Sequence, residues 1–132
     1  MIRTILLVED DRGSALLVQR ILQKHGYYVL VAGNGIEALQ VIAKQPVDLV
    51  VTDVVMPLMD GVEATHKIRE WESANKMINR VPIVAMTANI LKNDKDLFVA
   101  AGMDDYLSKP FNVSDLVRLF DRIYKQLERK NI

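Results

Sequence analysis

The stretch Val47-Asp48-Leu49-Val50-Val51-Thr52-Asp53 is a short run rich in branched apolar residues that ends in a carboxylate. Such a run is typical of a parallel strand that is buried on both faces. A proline and then an Asp-Gly pair follow, so the chain is predicted to turn directly after Asp53. Open α/β folds bind ligands outside the carboxyl ends of their strands, and Asp53 is therefore a candidate site residue.

The strand pattern recurs on both sides of this stretch and alternates with amphipathic helices. Strands are predicted at Thr4–Val8, Tyr28–Val31, Val47–Asp53, Val81–Met86 and Asp105–Leu107. Helices are predicted at Arg12–Lys24, at Ile36–Lys44, from Gly61 through Trp71, at Asn93–Ala101 and at Val113–Leu127. Asp11 is predicted to be the N-cap of the first helix, and Gly26 to end that helix. This alternation predicts an α/β fold, a flavodoxin-like doubly wound five-stranded parallel sheet of order 2-1-3-4-5 with five helices.

Length and composition limit the classes of protein to consider. The 132 residues suit a single domain, residues 1–132, with one core. Seventeen basic and seventeen acidic residues balance, which argues against nucleic acid or membrane as the main partner. The absence of cysteine excludes disulfides, thiolate metal sites and thiol nucleophiles. No apolar run is long enough to span a bilayer, and the first strand leaves no room for a signal peptide, so we expect a cytoplasmic protein.

Polar residues follow the predicted strands at the edge where parallel strands end. Glu9 and Asp10 follow the first strand, Asp53 ends the third, Thr87 ends the fourth and Lys109 follows the fifth. Clustered carboxylates raise one another's pKa unless a cation compensates them. Hard oxygen ligands favour Mg²⁺, which often bridges carboxylates to phosphate. Lys109 would then help to neutralise a phosphoryl group on an aspartate, and Thr87 would donate a hydrogen bond to the phosphoryl oxygens. Asp11 is interpreted as a helix cap only.

Four segments form a specific pattern in their order and separation: Leu7-Val8-Glu9-Asp10-Asp11, Thr52-Asp53-Val54-Val55-Met56-Pro57-Leu58-Met59-Asp60-Gly61, Pro82-Ile83-Val84-Ala85-Met86-Thr87-Ala88, and Ala101-Gly102-Met103-Asp104-Asp105-Tyr106-Leu107-Ser108-Lys109-Pro110-Phe111. With them the chain resembles a response-regulator receiver domain of two-component and phosphorelay signalling over essentially its full length. The segment from Met86 to Pro110 looks most like the receivers of hybrid sensor histidine kinases, and a free-standing regulator is nearly as good a match.

The resemblance implies a role for each matching residue. Asp53 is the implied phosphoacceptor, and Glu9, Asp10, Asp53 and the backbone carbonyl of Val55 are the implied ligands of Mg²⁺ or Mn²⁺. Thr87 and Lys109 are implied to sense the phosphoryl group, and Tyr106 to follow Thr87 as a switch aromatic. The peptide bond before Pro110 is implied to be cis, and Val55 and Asn89 to tune the phosphoryl lifetime.

The resemblance also implies a function and partners. The expected function is a switch that accepts a phosphoryl group from a phosphohistidine donor and changes the surface of helix 4, strand 5 and helix 5. The expected partners are a histidine kinase or histidine phosphotransfer protein and a downstream protein target, with a monomer or a phosphorylation-dependent dimer. Two alternatives stay open: an aspartyl-phosphate phosphatase of haloacid-dehalogenase type, and an unphosphorylated interaction scaffold. The first lacks its first-strand Asp-x-Asp motif, and a cap insertion does not fit the length.

The first helix carries more apolar residues than one buried stripe needs. Its apolar positions are Ala15, Leu16, Leu17, Val18, Ile21 and Leu22. A wide buried stripe explains the pattern, and so does docking of a phosphodonor helix beside the acidic edge.

Overall fold

Five parallel strands form one sheet in the order β2-β1-β3-β4-β5. The computed structural model describes residues 2–88 and 94–130, without the side chains of residues 94, 129 and 130. The strands are β1 Thr4–Val8, β2 Tyr28–Ala32, β3 Leu49–Asp53, β4 Ile83–Thr87 and β5 Asp105–Ser108. The flavodoxin-like order predicted from the sequence is confirmed. β1 and β3 are neighbours, so their carboxyl ends meet.

Five helices cover both faces of the sheet: α1 Arg12–Lys24, α2 Gly35–Lys44, α3 Gly61–Ala74, α4 Asp94–Ala101 and α5 Val113–Lys130. Successive strand side chains point to opposite faces, which divides the core into two layers. Ile5 and Leu7 of β1 pack with residues of α1 and α5, whereas Leu6 and Val8 pack with residues of α2, α3 and α4. Every one of these four strand side chains is at most 1% exposed.

Three helices begin at the carboxyl edge of the sheet with a side-chain cap. Asp11, Asn34 and Asp60 each accept a hydrogen bond from the backbone N–H three residues later, at Ser14, Glu37 and Glu63. Such caps satisfy N–H groups that a helix start leaves without a partner. The predicted N-cap role of Asp11 is confirmed, and the hydrogen bonds from Ser14 lower the pKa of its carboxyl.

Several predicted element boundaries were wrong by a few residues. β3 begins at Leu49, not at Val47, and just before it the carboxylate of Asp48 accepts hydrogen bonds from the N–H groups of Arg3 and Thr4. β4 begins at Ile83, not at Val81, since Pro82 has no N–H to give to a strand ladder, and it ends at Thr87, the residue predicted to end this strand. The other elements extend slightly past their predicted ends: β2 to Ala32, α2 from Gly35, α3 to Ala74, β5 to Ser108 and α5 to Lys130. The predicted helix start at Asn93 lies outside the described residues.

Among the described residues, no helix combines the length and the apolar character that crossing a membrane requires.

Candidate functional site

Three carboxylates converge where β1 and β3 end. Glu9 and Asp10 follow β1 directly, and Asp53 is the last residue of β3. One carboxylate oxygen from each residue lies within 4.8 Å of the others. The cluster runs from buried Glu9 through half-buried Asp53 to exposed Asp10, so it opens to solvent on one side.

Lys109 brings a positive charge into this cluster from the chain beyond β5. Its Nζ lies 3.2 Å from Oε1 of Glu9 and 3.3 Å from Oδ2 of Asp53. Burial by itself lowers the pKa of the Lys109 ammonium, but the carboxylates of Asp53 and Glu9 outweigh it and leave that pKa raised. Lys109 is therefore charged at neutral pH and in contact with both carboxylates.

Glu9 is the electrostatically strained member of the cluster. Its side chain is 3% exposed, and burial together with the adjacent Asp53 raises its pKa to about 7, although Lys109 acts in the opposite direction. Oε2 of Glu9 is buried and has no hydrogen-bond partner among the described residues. A buried carboxylate oxygen without a partner is costly, so this atom is suited to a ligand that the protein itself does not supply.

The donor set fits a hard divalent cation. Glu9, Asp10 and Asp53 offer only carboxylate oxygens, which are the ligands that Mg²⁺ prefers. Mg²⁺ is usually bound by one or two carboxylates and keeps several water molecules. The unpartnered Oε2 and the raised pKa of Glu9 both indicate a shortage of positive charge in this crevice. A bound cation would supply that charge.

The backbone beyond Asp53 is packed tightly against the start of α3. The N–H of Gly61 donates to the carbonyl oxygen of Val54 at 2.8 Å. A Cβ at position 61 would collide with the carbonyl oxygen of Asp53, so a side chain there would displace the strand end. Glycine at 61 thus keeps the helix start against the candidate acceptor.

Thr87 and Lys109 are linked across the β4–β5 pair. Thr87 is the last residue of β4 and lies opposite Ser108, and its carbonyl accepts the N–H of Lys109 at 2.8 Å. The Lys109–Pro110 peptide bond is cis. The structure therefore brings Lys109 to the carboxylates and holds the end of β4 beside it.

The two first residues of β5 are each held by a cation from a flanking helix. Nζ of Lys95, on α4, lies 4.9 Å from the ring centroid of Tyr106, within the range of a cation–π contact. Nε of Arg122, on α5, donates to Oδ2 of Asp105 at 3.0 Å. The sequence alone did not single out Lys95, because a contact between α4 and β5 leaves no local pattern.

Two remaining predicted positions are less informative in the structure. Val55 lies two residues beyond Asp53 with a side chain that is 81% exposed. Asn89 lies outside the described residues.

An ion-pair network at the other edge of the sheet, half-buried to buried, was not predicted from the sequence. It joins Arg69 and Glu72 of α3 to Asp104, which precedes β5. One signal was available: Glu72 falls four residues after Ile68, on the buried stripe of α3, where a charge needs a partner.

Comparisons with known proteins agree on one family. Residues 5–121 match the family described as the response regulator receiver domain. Sensor histidine kinase GacS of Pseudomonas protegens is 43% identical over 115 residues, which is 87% of this chain but only 12% of the kinase.

Solved structures have the same fold as the chain. The receiver domain of sensor histidine kinase PA1611 from Pseudomonas aeruginosa, with a magnesium ion coordinated in its active-site cleft, is 38% identical with a TM-score of 0.80, covering 92% of this chain and 97% of that one. The Saccharomyces cerevisiae co-crystal structure of the histidine phosphotransfer protein Ypd1 with the receiver domain of Ssk1 matches at 31% identity and a TM-score of 0.82, covering 87% of this chain and 83% of that one.

Proposed function

Since the chain belongs to the response regulator receiver domain family, a family of two-component and phosphorelay signalling domains, we propose that Asp53 accepts a phosphoryl group in a phosphorylation-dependent switch. We further propose that residues 1–132 form a single receiver domain. The observation that carries the proposal is the meeting of three carboxylates within 4.8 Å, with Nζ of Lys109 at 3.3 Å from Asp53.

The proposed reaction is a transfer from a phosphohistidine to the Asp53 carboxylate. An oxygen of Asp53 attacks the phosphorus while the phosphorus–nitrogen bond breaks, and the bonding pair returns to the imidazole nitrogen of the donor. Lys109 is already hydrogen-bonded to Oδ2 of Asp53, so it can shift to an oxygen of the phosphoryl group as charge builds there. Mg²⁺, held by Glu9, Asp10, Asp53 and the backbone carbonyl of Val55, would offset the repulsion between acceptor and donor; Mn²⁺ has similar ligand preferences.

The proposed response starts at Thr87 and Lys109. A phosphoryl group carries nearly two negative charges, and both side chains move toward it. Space vacated by Thr87 lets Tyr106 move inward, away from Lys95, and this changes the surface of α4, β5 and α5. Val55 and Asn89 are proposed to set the lifetime of the phosphoryl group.

The proposed partners follow from the relatives. GacS is a sensor histidine kinase, and the Ssk1 receiver crystallised with a histidine phosphotransfer protein, so we propose one of these two classes as the phosphodonor. A downstream protein would read the altered surface, without nucleic acid or membrane contact. The domain would work in the cytoplasm, as a monomer or as a dimer that forms on phosphorylation.

The test is stoichiometric labelling by a small phosphodonor with Mg²⁺. We expect the wild type to take up one phosphoryl group, Asp53→Asn to take up none, and the control Asp60→Asn, altered at an exposed cap in the same loop, to label normally. Labelling of Asp53→Asn would contradict the assignment. Sustained turnover of a phosphate ester would favour the haloacid-dehalogenase alternative, and failure of the wild type to bind beryllofluoride would favour a scaffold.

A further inference from the structure

A second cluster of charges lies at the edge of the sheet opposite the acidic crevice. It consists of Arg69 and Glu72 on α3 and Asp104 just before β5, with side chains that are 14%, 8% and 19% exposed. Charged groups that are half-buried or buried need partners in the protein. The cluster touches neither Asp53 nor Lys109, so the site chemistry does not explain it.

The guanidinium of Arg69 uses all five of its N–H donors. Nε and Nη2 donate to the carbonyl oxygen of Gly102 at 3.0 and 2.8 Å. Nη1 donates to Oε1 of Glu72 and to the carbonyl oxygen of Val81, both at 2.8 Å. Nη2 also donates to Oδ2 of Asp104 at 2.9 Å. A lysine has three donors on one atom and cannot reproduce this fork.

The carboxylates of Glu72 and Asp104, which pair with Arg69, also accept hydrogen bonds from the backbone around the start of β4. Oε2 of Glu72 accepts the N–H of Val81 at 2.7 Å. Oδ2 of Asp104 accepts the N–H of Ile83 at 2.9 Å, and the N–H of Asp104 donates to the carbonyl of Ile83 at 2.8 Å. Asp104 is thereby paired with Ile83 through both side chain and backbone. This pair immediately precedes the first register pair of the two strands, Val84 with Asp105.

The register of these strands decides where Lys109 stands. β5 has four residues and lies at the edge of the sheet, so only a short ladder with one neighbouring strand holds its register. A slip of one residue turns every side chain to the other face, and a slip of two moves Lys109 by about 7 Å along the strand. Its contact with Asp53, at 3.3 Å, does not survive either shift.

We propose that Arg69 is a positioning residue: through Asp104 it fixes the register of β5 against β4 and so places Lys109 beside Asp53. The inference rests on the proposed function of Asp53. In this role Arg69, on α3, affects the site without contacting Asp53 or Lys109.

The test compares Arg69→Lys with the wild type in two assays. Labelling of Asp53 by a small phosphodonor at saturating Mg²⁺ should slow by about tenfold to a hundredfold, the usual result of a misplaced catalytic group. Mg²⁺ affinity should not weaken, because its proposed ligands directly follow β1 or lie at and just beyond the end of β3, and because displacement of Lys109 removes a competing cation from Glu9 and Asp53. Lys67→Met is the matched control, since Lys67 is exposed on the same helix and its ion pair with Glu70 is long, at 3.8 Å. General destabilisation would weaken both properties together and would overturn the proposal.

Two further measurements separate positioning from plain stability. In a Lys109→Met background, Arg69→Lys should cause no additional slowing; an equal slowing there would contradict the role. Cross-strand nuclear Overhauser contacts between Ala85 and Tyr106 should be lost in Arg69→Lys and kept in the control. If Arg69→Lys does not fold, Asp104→Asn, which keeps an acceptor for Ile83 but loses the charge, takes its place. A wild type that fails to label would refute the function proposed for Asp53, and the cross-strand contacts would still decide the register role.

Discussion

At the scale of single residues, ionisation of the buried Glu9 carboxylate lowers the stability of the fold. Its pKa is raised from 4.5 to about 7, first by burial and then by Asp53. Between these two pH values the folded protein holds a proton that the unfolded chain has released. Stability in a chelator therefore falls as pH rises through this window, because the carboxylate must ionise in a buried place.

Glu9→Gln should remove this component of the pH dependence. Glutamine resembles protonated glutamate, so the variant and the wild type should be about equally stable near pH 4.5. The variant should then gain on the wild type up to pH 7 or above, by a difference of at most about 3 kcal/mol. Urea unfolding with chelator across this range measures the difference. Parallel stability curves for the two proteins would contradict the raised pKa.

At the scale of elements, the end of α3 contains a backbone strain that glycine would relieve. Lys76 has a φ of 53°, and the N–H groups of Lys76 and Met77 bond back to the carbonyls of Ser73 and Glu72. This is the hydrogen-bond pattern of a helix end whose left-handed residue is usually glycine. Lys76→Gly should raise the free energy of unfolding by about 0.5–1 kcal/mol, since the exposed lysine loses no packing.

The end of α1 supplies the matched reverse experiment. Gly26 closes that helix in the same way with a φ of +90°, and a Cβ there would meet no atom within 4 Å. Gly26→Ala should therefore destabilise the protein through its backbone alone. A thermal unfolding series that moved both variants in the same direction would contradict this account.

The sequence predicted elements well and their ends less well, and the errors have physical causes. Periodicity identifies Leu49–Asp53 as a buried strand, but only the fold shows that Asp48 caps the backbone of Arg3 and Thr4. Periodicity likewise predicts that α3 ends at Trp71. The helix continues through Glu72, whose buried carboxylate accepts hydrogen bonds from Arg69 and from the N–H of Val81. Element ends depend on such contacts between distant residues, which a single sequence does not contain.

At the scale of the whole molecule, the two edges of the sheet differ in how visible they were from the sequence. Candidate residues at the carboxyl edge could be named because strand ends in a parallel sheet collect there. Arg69 and Asp104, 35 positions apart, carry no such rule. The carboxyl edge thus contains the proposed phosphoacceptor, while the opposite edge contains the contacts that we propose align the strands leading to it.

Exposed apolar residues near the carboxyl edge suggest where a phosphodonor docks. Leu16 and Leu17, in the early turns of α1, are 46% and 63% exposed, although Ala15 and Val18 beside them are buried. The apolar excess seen in the sequence is therefore partly on the surface. Leucines that stay in solvent on a helix that begins at the same sheet edge as the proposed phosphoacceptor are suited to the apolar face of a donor helix.

Leu16→Glu should therefore slow phosphoryl transfer from a histidine phosphotransfer protein by about tenfold or more, as loss of one central apolar contact typically does. Labelling by a small phosphodonor, which needs no docking surface, should stay at the wild-type rate. Ile78→Glu is the control, because Ile78 is 95% exposed in the segment that leads to the amino end of β4, far from the crevice. Equal transfer rates for Leu16→Glu and the wild type would remove α1 from the interface, and slowing with both donors would place the defect in the acidic crevice instead.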